Sequence, residues 1–141
     1  EIFESVLGSQ EERIIILSCQ DTCLVNTLQR KAAVVLQKSL REGFGLTVSE
    51  AMWKGVPVIG GNVGGIRHQI VDGENGYLVN SIEECAARIV EVLKNGGIRE
   101  RLGEAARETV AGNFLLTRYM EQYLELFDAF VPNFTLSSAR R

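Results

Sequence analysis

A chain of 141 residues suits one domain able to bury roughly two-thirds of its unfolded surface, so it needs neither a disulfide nor a metal to hold it together. Its net charge of −3, from 18 acidic and 15 scattered basic residues, argues against a nucleic-acid surface. No apolar run approaches the roughly 20 residues that span a bilayer.

The chain opens on Glu1 without an initiator Met or a signal-peptide pattern, and residues 2–7 read as the end of a helix. It therefore reads as a segment of a longer protein, with a domain over residues 1–131 that is incomplete at its N-terminus. Residues 13–18 contain Ile14-Ile15-Ile16-Leu17, an apolar run without alternation, as expected of a strand buried on both faces. Leu24, Val25 and Leu28 predict a short helix ending near Lys31. Residues 32–37, centred on Val34-Val35-Leu36, predict a second buried strand, and residues 46–54 a helix stopped by Gly55. Residues 56–60 predict a third strand, with Pro57 at its start, where no amide is needed.

Glycine-rich chain follows over residues 60–65, then a helical turn over residues 66–71. Asp72-Gly73 and Asn75-Gly76 are turn signals, and Tyr77-Leu78-Val79 is a short strand. Ser81 with Glu84 three residues on makes a capping box, followed by the apolar stripe Ile82, Cys85, Ile89 and Leu93. Asn95-Gly96-Gly97 ends that helix, and Gly112-Asn113 ends the next, which carries Ile98, Leu102, Ala106 and Val110. A last helix puts Leu116, Tyr119, Tyr123, Phe127 and Phe130 on one face, as core or as a surface for another domain. The polar residues 132–141 read as a flexible tail.

Strands alternating with helices give an α/β fold, a Rossmann-like parallel sheet flanked by helices. Ligands of such sheets bind beyond the carboxyl ends of the strands, which selects residues 19–24, 38–46 and 60–66. Cys19, Cys23 and Cys85 are an odd number without a secretory signal, and read as reduced thiols of a cytoplasmic protein. Cys19 and Cys23 with His68 match no zinc spacing and lack a fourth ligand, so no metal is expected. His68, the sole histidine, reads as a surface or packing residue, and Trp53 as packing against the sheet.

Chemistry concentrates in residues 38–46, which run from a strand end into a helix start. Gly43 and Gly45 allow close backbone approach and positive φ. The unpaired amides and dipole of the helix start suit a phosphate. Glu42, just before the turn, and Glu50, on the helix, are placed to accept hydroxyls beside that phosphate. The same pattern fits a structural strand–turn–helix with two solvated carboxylates, and spacing alone favours that plainer reading. Val48 stands where a dinucleotide fingerprint needs its third glycine, and no Gly-Lys-Ser/Thr follows a glycine loop.

Glu42 and Glu50, separated by seven residues with Gly43-Phe44-Gly45-Leu46 after the first, resemble the Glu-seven-Glu signature of family 4 retaining glycosyltransferases of the two-Rossmann-domain type. The resemblance continues through Glu50-Ala51-Met52, Gly55-Val56-Pro57-Val58, Gly64-Gly65-Ile66 and residues 72–79, to about Phe130. Arg41 to Thr47, residues 51–55, and Gly65-Ile66 with residues 69–73 are similar to the glycosyl-transferring trehalose synthase subgroup. Arg67-His68 depart from the Pro-Glu that most members place after Gly-Gly-x.

The resemblance implies the donor-binding, C-terminal domain of a glycosyltransferase. It makes Glu42 the catalytic-site carboxylate on donor-sugar hydroxyls and puts the backbone of Gly43, Phe44, Gly45 and Leu46 near sugar and diphosphate. Glu50 takes the ribose, residues 19–24 face the base, and Gly64, Gly65 and Arg67 form a loop for diphosphate or acceptor. The implied donor is UDP-, ADP- or GDP-glucose and the implied acceptor a sugar such as glucose, giving trehalose without metal or cofactor. Members also place an Arg and a Lys on the diphosphate, and Arg13 and Lys31 do not stand in matching context. The acceptor is expected on an N-terminal domain outside this chain, whose absence would leave the last helix open to self-association. Two other classes stay open: a glycoside hydrolase or phosphorylase using Glu42 and Glu50, and a non-catalytic nucleotide-binding domain.

Overall fold

The computed structural model describes residues 15–18 and 21–130. Three parallel strands, β1 (Val35–Gln37), β2 (Val58–Gly61) and β3 (Tyr77–Val79), lie side by side in the order β1-β2-β3. Val35 pairs with Val58, and Ile59 with Tyr77. Around them lie α1 (Thr22–Lys31), α2 (Leu46–Trp53), a 3₁₀ turn (Gly64–His68), α3 (Ile82–Lys94), α4 (Gly96–Asn113) and α5 (Leu116–Phe130). Among the described residues no helix is long and apolar enough to cross a membrane. The expected helix over residues 2–7 and the tail over 132–141 lie outside the described residues.

Neighbouring residues of β2 serve opposite faces, as the two-residue period of a strand requires. Val58 packs with Val48, Ala51 and Met52 of α2, Ile66, Ile70, and Ala106 and Val110 of α4. Ile59 packs with Tyr77, Val79, Cys85 and Val92 of α3, and Leu102 of α4. Helix α4 thus reaches both layers. It comes close because Gly103 has no side chain: a Cβ there would stand 2.1 Å from the carbonyl oxygen of Gly55. Gly55 ends α2 with φ +73°.

Local chemistry sets the helix limits. Ser81 caps α3 by accepting from the Glu84 amide at 3.1 Å. The Glu84 carboxylate takes the amide of Asn80, at 2.6 Å, rather than that of the capping serine. Asn95 ends α3 and its side chain accepts from the Ile98 amide at 3.1 Å, so Gly96 and Gly97 open α4 instead of closing α3. Pro57 precedes β2 and gives its carbonyl to the Val35 amide at 3.0 Å.

Two strand expectations change. Residues 15–18 form no strand, and Ile15 is 81% exposed. An apolar run becomes a strand only with a ladder partner, and among the described residues β1 pairs with β2 alone. For the same reason β1 is not buried on both faces: Leu36 is 47% exposed. Helix α5 contributes no buried residue, so Tyr119, Tyr123 and Phe127 are not core.

Candidate functional site

The carboxyl end of β1 leads into the segment that the sequence singles out. Gln37 donates to the Ser39 hydroxyl at 2.9 Å and to the Glu42 carboxylate at 3.2 Å. Ser39 donates to the same Glu42 oxygen at 3.1 Å. Glu42 is half-buried and held in one orientation by two donors, so it is not the freely solvated carboxylate of a plain turn. Gly45 is the N-cap of α2 with φ +84°, and no side chain caps the helix. The first amides of α2, with the positive end of its dipole, are left for an anion.

A second segment clasps this loop. A Cβ on Gly64 would stand 1.8 Å from the Glu42 carbonyl oxygen, and one on Gly65 would stand 2.1 Å from that of Gly43. The Gly65 amide donates to Gly43 O at 2.8 Å, and the Gln69 side-chain amide donates to Phe44 O. The glycine-rich stretch after β2 therefore serves first to seat the 42–45 loop. Arg67 and His68 are exposed on the 3₁₀ turn.

Glu50 sits apart from Glu42. Its carboxylate accepts from Gln29 of α1 at 3.2 Å, and Lys54 donates to the Gln29 carbonyl at 2.6 Å. A cavity of about 530 Å³ brings Glu50 and Lys54 together with Asp21, Cys23, Asn26 and Gln29. The Asp21 carboxylate already caps α1, accepting from the amides of Cys23 and Leu24 at 2.8 and 3.1 Å. The start of α1 is thus capped by a side chain, whereas that of α2 is not. Cys19 lies outside the described residues.

Phe44 contributes backbone to the loop but turns its ring toward Phe114, edge to face at 5.7 Å. The Trp53 ring is partly exposed and lies under the Arg107 guanidinium at 5.5 Å. Arg88 bonds Glu91 at 2.8 Å and covers the Tyr77 ring at 4.3 Å. That hydrogen bond holds the Glu91 carboxyl below the usual range, while burial, then the charge of Glu91, push the Tyr77 hydroxyl up.

Gln37, Ser39, Gln29, Lys54 and Gln69 support the two carboxylates and the loop, and sequence reasoning missed all five. Gln37 and Ser39 stand at a strand's carboxyl end, where the ligand rule for parallel sheets pointed. Gln29 and Lys54 carry no local signal.

The family model for glycosyl transferases group 1 matches residues 7–109. The chain belongs to this family. A trehalose synthase of Pyrococcus horikoshii is 50% identical over 105 residues, covering 74% of this chain and 25% of that protein. The chain spans about a quarter of the length of the curated trehalose synthases it matches. Among solved structures, the C-terminal domain of the group 1 glycosyltransferase LpcC from Francisella tularensis superposes with TM-score 0.71 at 26% identity, over 82% of this chain and 60% of that one. Anabaena HepE, solved with UDP-glucose, shares the fold with TM-score 0.77 at 22% identity, over 89% of this chain and 35% of that one. The sheet thus shares the fold of the C-terminal domain of a group 1 glycosyltransferase, a Rossmann-like parallel sheet flanked by helices of the kind that the Glu-seven-Glu resemblance implied.

Proposed function

We propose that this glycosyltransferase domain binds a nucleoside diphosphate glucose across the 42–45 loop and the start of α2, for retaining transfer of glucose to a sugar acceptor such as glucose, giving trehalose. The observation that carries this reading is the uncapped start of α2 at Gly45, flanked by the braced carboxylate of Glu42. The diphosphate takes the free amides, where no competing carboxylate caps them. Glu42 accepts donor-sugar hydroxyls. Glu50 accepts the ribose hydroxyls, with the base in the cavity beside α1. Gly64, Gly65 and Arg67 border the diphosphate from the other side. The 50% identity to a trehalose synthase supports glucose on both sides of the reaction.

In the transfer, the bond from the anomeric carbon to the diphosphate oxygen breaks and a bond to the acceptor oxygen forms on the same face. The acceptor's proton passes to the departing diphosphate oxygen, so neither metal nor cofactor is required. The oxocarbenium-like centre and the departing charge are stabilised by groups fixed in advance, the α2 amides among them.

Calorimetry tests the reading with UDP-, ADP- and GDP-glucose, UDP, glucose 1-phosphate and a plain glycoside. Saturable binding of at least one nucleotide-glucose is expected, weakened by about 1–3 kcal/mol in Glu42→Gln and in Glu50→Gln, as for a charge-assisted hydrogen bond. Unchanged affinity in both variants rejects the assigned roles. Binding of the glycoside or glucose 1-phosphate alone favours a hydrolase or phosphorylase, and binding of UDP with no sugar dependence favours a nucleotide-binding domain.

A further inference from the structure

Gln69 is fully buried, yet one of its side-chain atoms has no partner. Its amide nitrogen donates to Phe44 O in the 42–45 loop and lies 3.5 Å from Gly65 O in the clasping turn. Its carbonyl oxygen is the buried atom left unpaired among the described residues. Two carbonyls on one side fix which end of the amide faces the loop, since the reverse orientation would set oxygen against oxygen. An unpaired buried acceptor destabilises a fold, and Leu or Met would fill the same volume without that penalty. What its nitrogen does accounts for a glutamine at this position.

The backbone of Gln69 is itself held. Asn75 donates to Gln69 O at 3.1 Å and to the Thr109 hydroxyl of α4 at 3.0 Å, and accepts from the Val71 amide at 2.8 Å. A continuous chain of hydrogen bonds thus runs from α4 through Asn75 and Gln69 to the carbonyl of Phe44, next to the N-cap of α2. The Phe44–Gly45 peptide carries that carbonyl, so its orientation helps to set Gly45 at φ +84° and the direction of the first α2 amides.

We infer that Gln69 is a positioning residue. It latches the Phe44 carbonyl and so holds the 42–45 loop and the start of α2 in the geometry that receives the donor diphosphate. The consequence for donor binding rests on the function proposed above, whereas the latch itself does not. Gln69 touches no reacting atom and acts through the peptide of Phe44.

Two variants separate latching from packing. Gln69→Met keeps the volume and removes the donor. In hydrogen exchange followed by mass spectrometry without ligand, it is expected to speed exchange selectively in peptides covering residues 43–48. Donor affinity is expected to fall about tenfold, the scale of one lost hydrogen bond. Gln69→Glu supplies an O–H to Phe44 O when neutral and a repelling oxygen pair when ionised. Its donor affinity is expected near the parent's at low pH and to fall, relative to the parent, as pH rises and the carboxyl ionises. Should Gln69→Met not fold, the low- and neutral-pH exchange patterns of Gln69→Glu make the same comparison within one variant. Unchanged exchange over residues 43–48, or a uniform rise across the sheet, overturns the latch. If the parent binds no nucleotide-sugar, the proposed function fails while the exchange comparison still decides the role of Gln69.

Discussion

At the residue scale, the two glycines of the loop look equivalent in the sequence and are not equivalent in the fold. Gly43 has no left-handed φ, and a Cβ added there meets nothing within 4 Å. Gly45 has φ +84°, and a Cβ would approach the Glu42 and Ile66 side chains at 3.2 and 3.5 Å. Gly43→Ala should therefore leave the unfolding free energy within about 0.5 kcal/mol of the parent's. Any loss it causes should fall on donor affinity, because a methyl group then occupies the approach to the ligand. Gly45→Ala should cost about 1–2 kcal/mol of stability, the strain of a left-handed non-glycine residue, and affinity as well. Thermal melts alongside calorimetry of both variants check the split. Equal behaviour would place the value of Gly43 in the fold rather than at the ligand. Glu42 and Glu50 were legible because their spacing is local along the chain. Gln69 was not, because what makes it matter is a tertiary neighbour, a carbonyl 25 residues back; Gln37 and Ser39 lie near Glu42 in sequence, but their contact depends on how the chain turns after β1.

At the element scale, the start of α3 at its Ser81 cap and the buried strand β2 were readable, whereas Asn95 as the cap of α4 and the exposure of residues 15–17 were not. The apolar run at residues 15–17 looked like a buried strand, but burial needs a neighbour that sequence period cannot supply. The glycine that sets the approach of α4 was equally silent, since Gly103 lies in an ordinary helical pattern. Gly103→Ala should destabilise by about 1–3 kcal/mol through overpacking against Gly55 O, despite alanine's better helix propensity. Urea unfolding should show a lower midpoint with an unchanged slope. A gain in stability would mean that α4 shifts freely on α2. Within α3, the Arg88 hydrogen bond lowers the Glu91 carboxyl pKa. The pair's contribution is thus present above the ordinary glutamate value and is lost as pH falls through the lowered one. Both side chains are more than a third exposed, so Glu91→Gln should cost at most about 0.5 kcal/mol near neutral pH. The difference from the parent should vanish in acid, which chemical denaturation at two pH values reads directly.

At the scale of the whole molecule, the two apolar clusters joined by β2 and α4 give the chain a core of its own, while α5 adds nothing to it. Tyr119, Tyr123 and Phe127 run along α5 at four-residue spacing, with successive ring centroids 4.6 and 6.3 Å apart. The Tyr119 hydroxyl donates to that of Tyr123 at 2.9 Å instead of reaching the sheet domain. Leu116 and Phe130 at its ends are 73% and 77% exposed. A contiguous apolar strip of this kind is costly to leave in water and marks a contact surface. The 141-residue chain should therefore fold on its own and self-associate through α5 as concentration rises. Sedimentation velocity should show a concentration-dependent coefficient for the parent and a constant one for the double variant Tyr123→Glu, Phe127→Glu. Both proteins should keep the same melting transition, because α5 carries no buried residue. The same chain should bind donor without making disaccharide at the rate of a complete enzyme. It spans about a quarter of its trehalose synthase relatives, and transfer needs a second substrate held against the first. Incubation with each nucleotide-glucose and glucose, followed by chromatography for disaccharide, checks this. Full turnover would mean that these 141 residues hold the acceptor as well, and that the strip on α5 serves assembly rather than completion of the site.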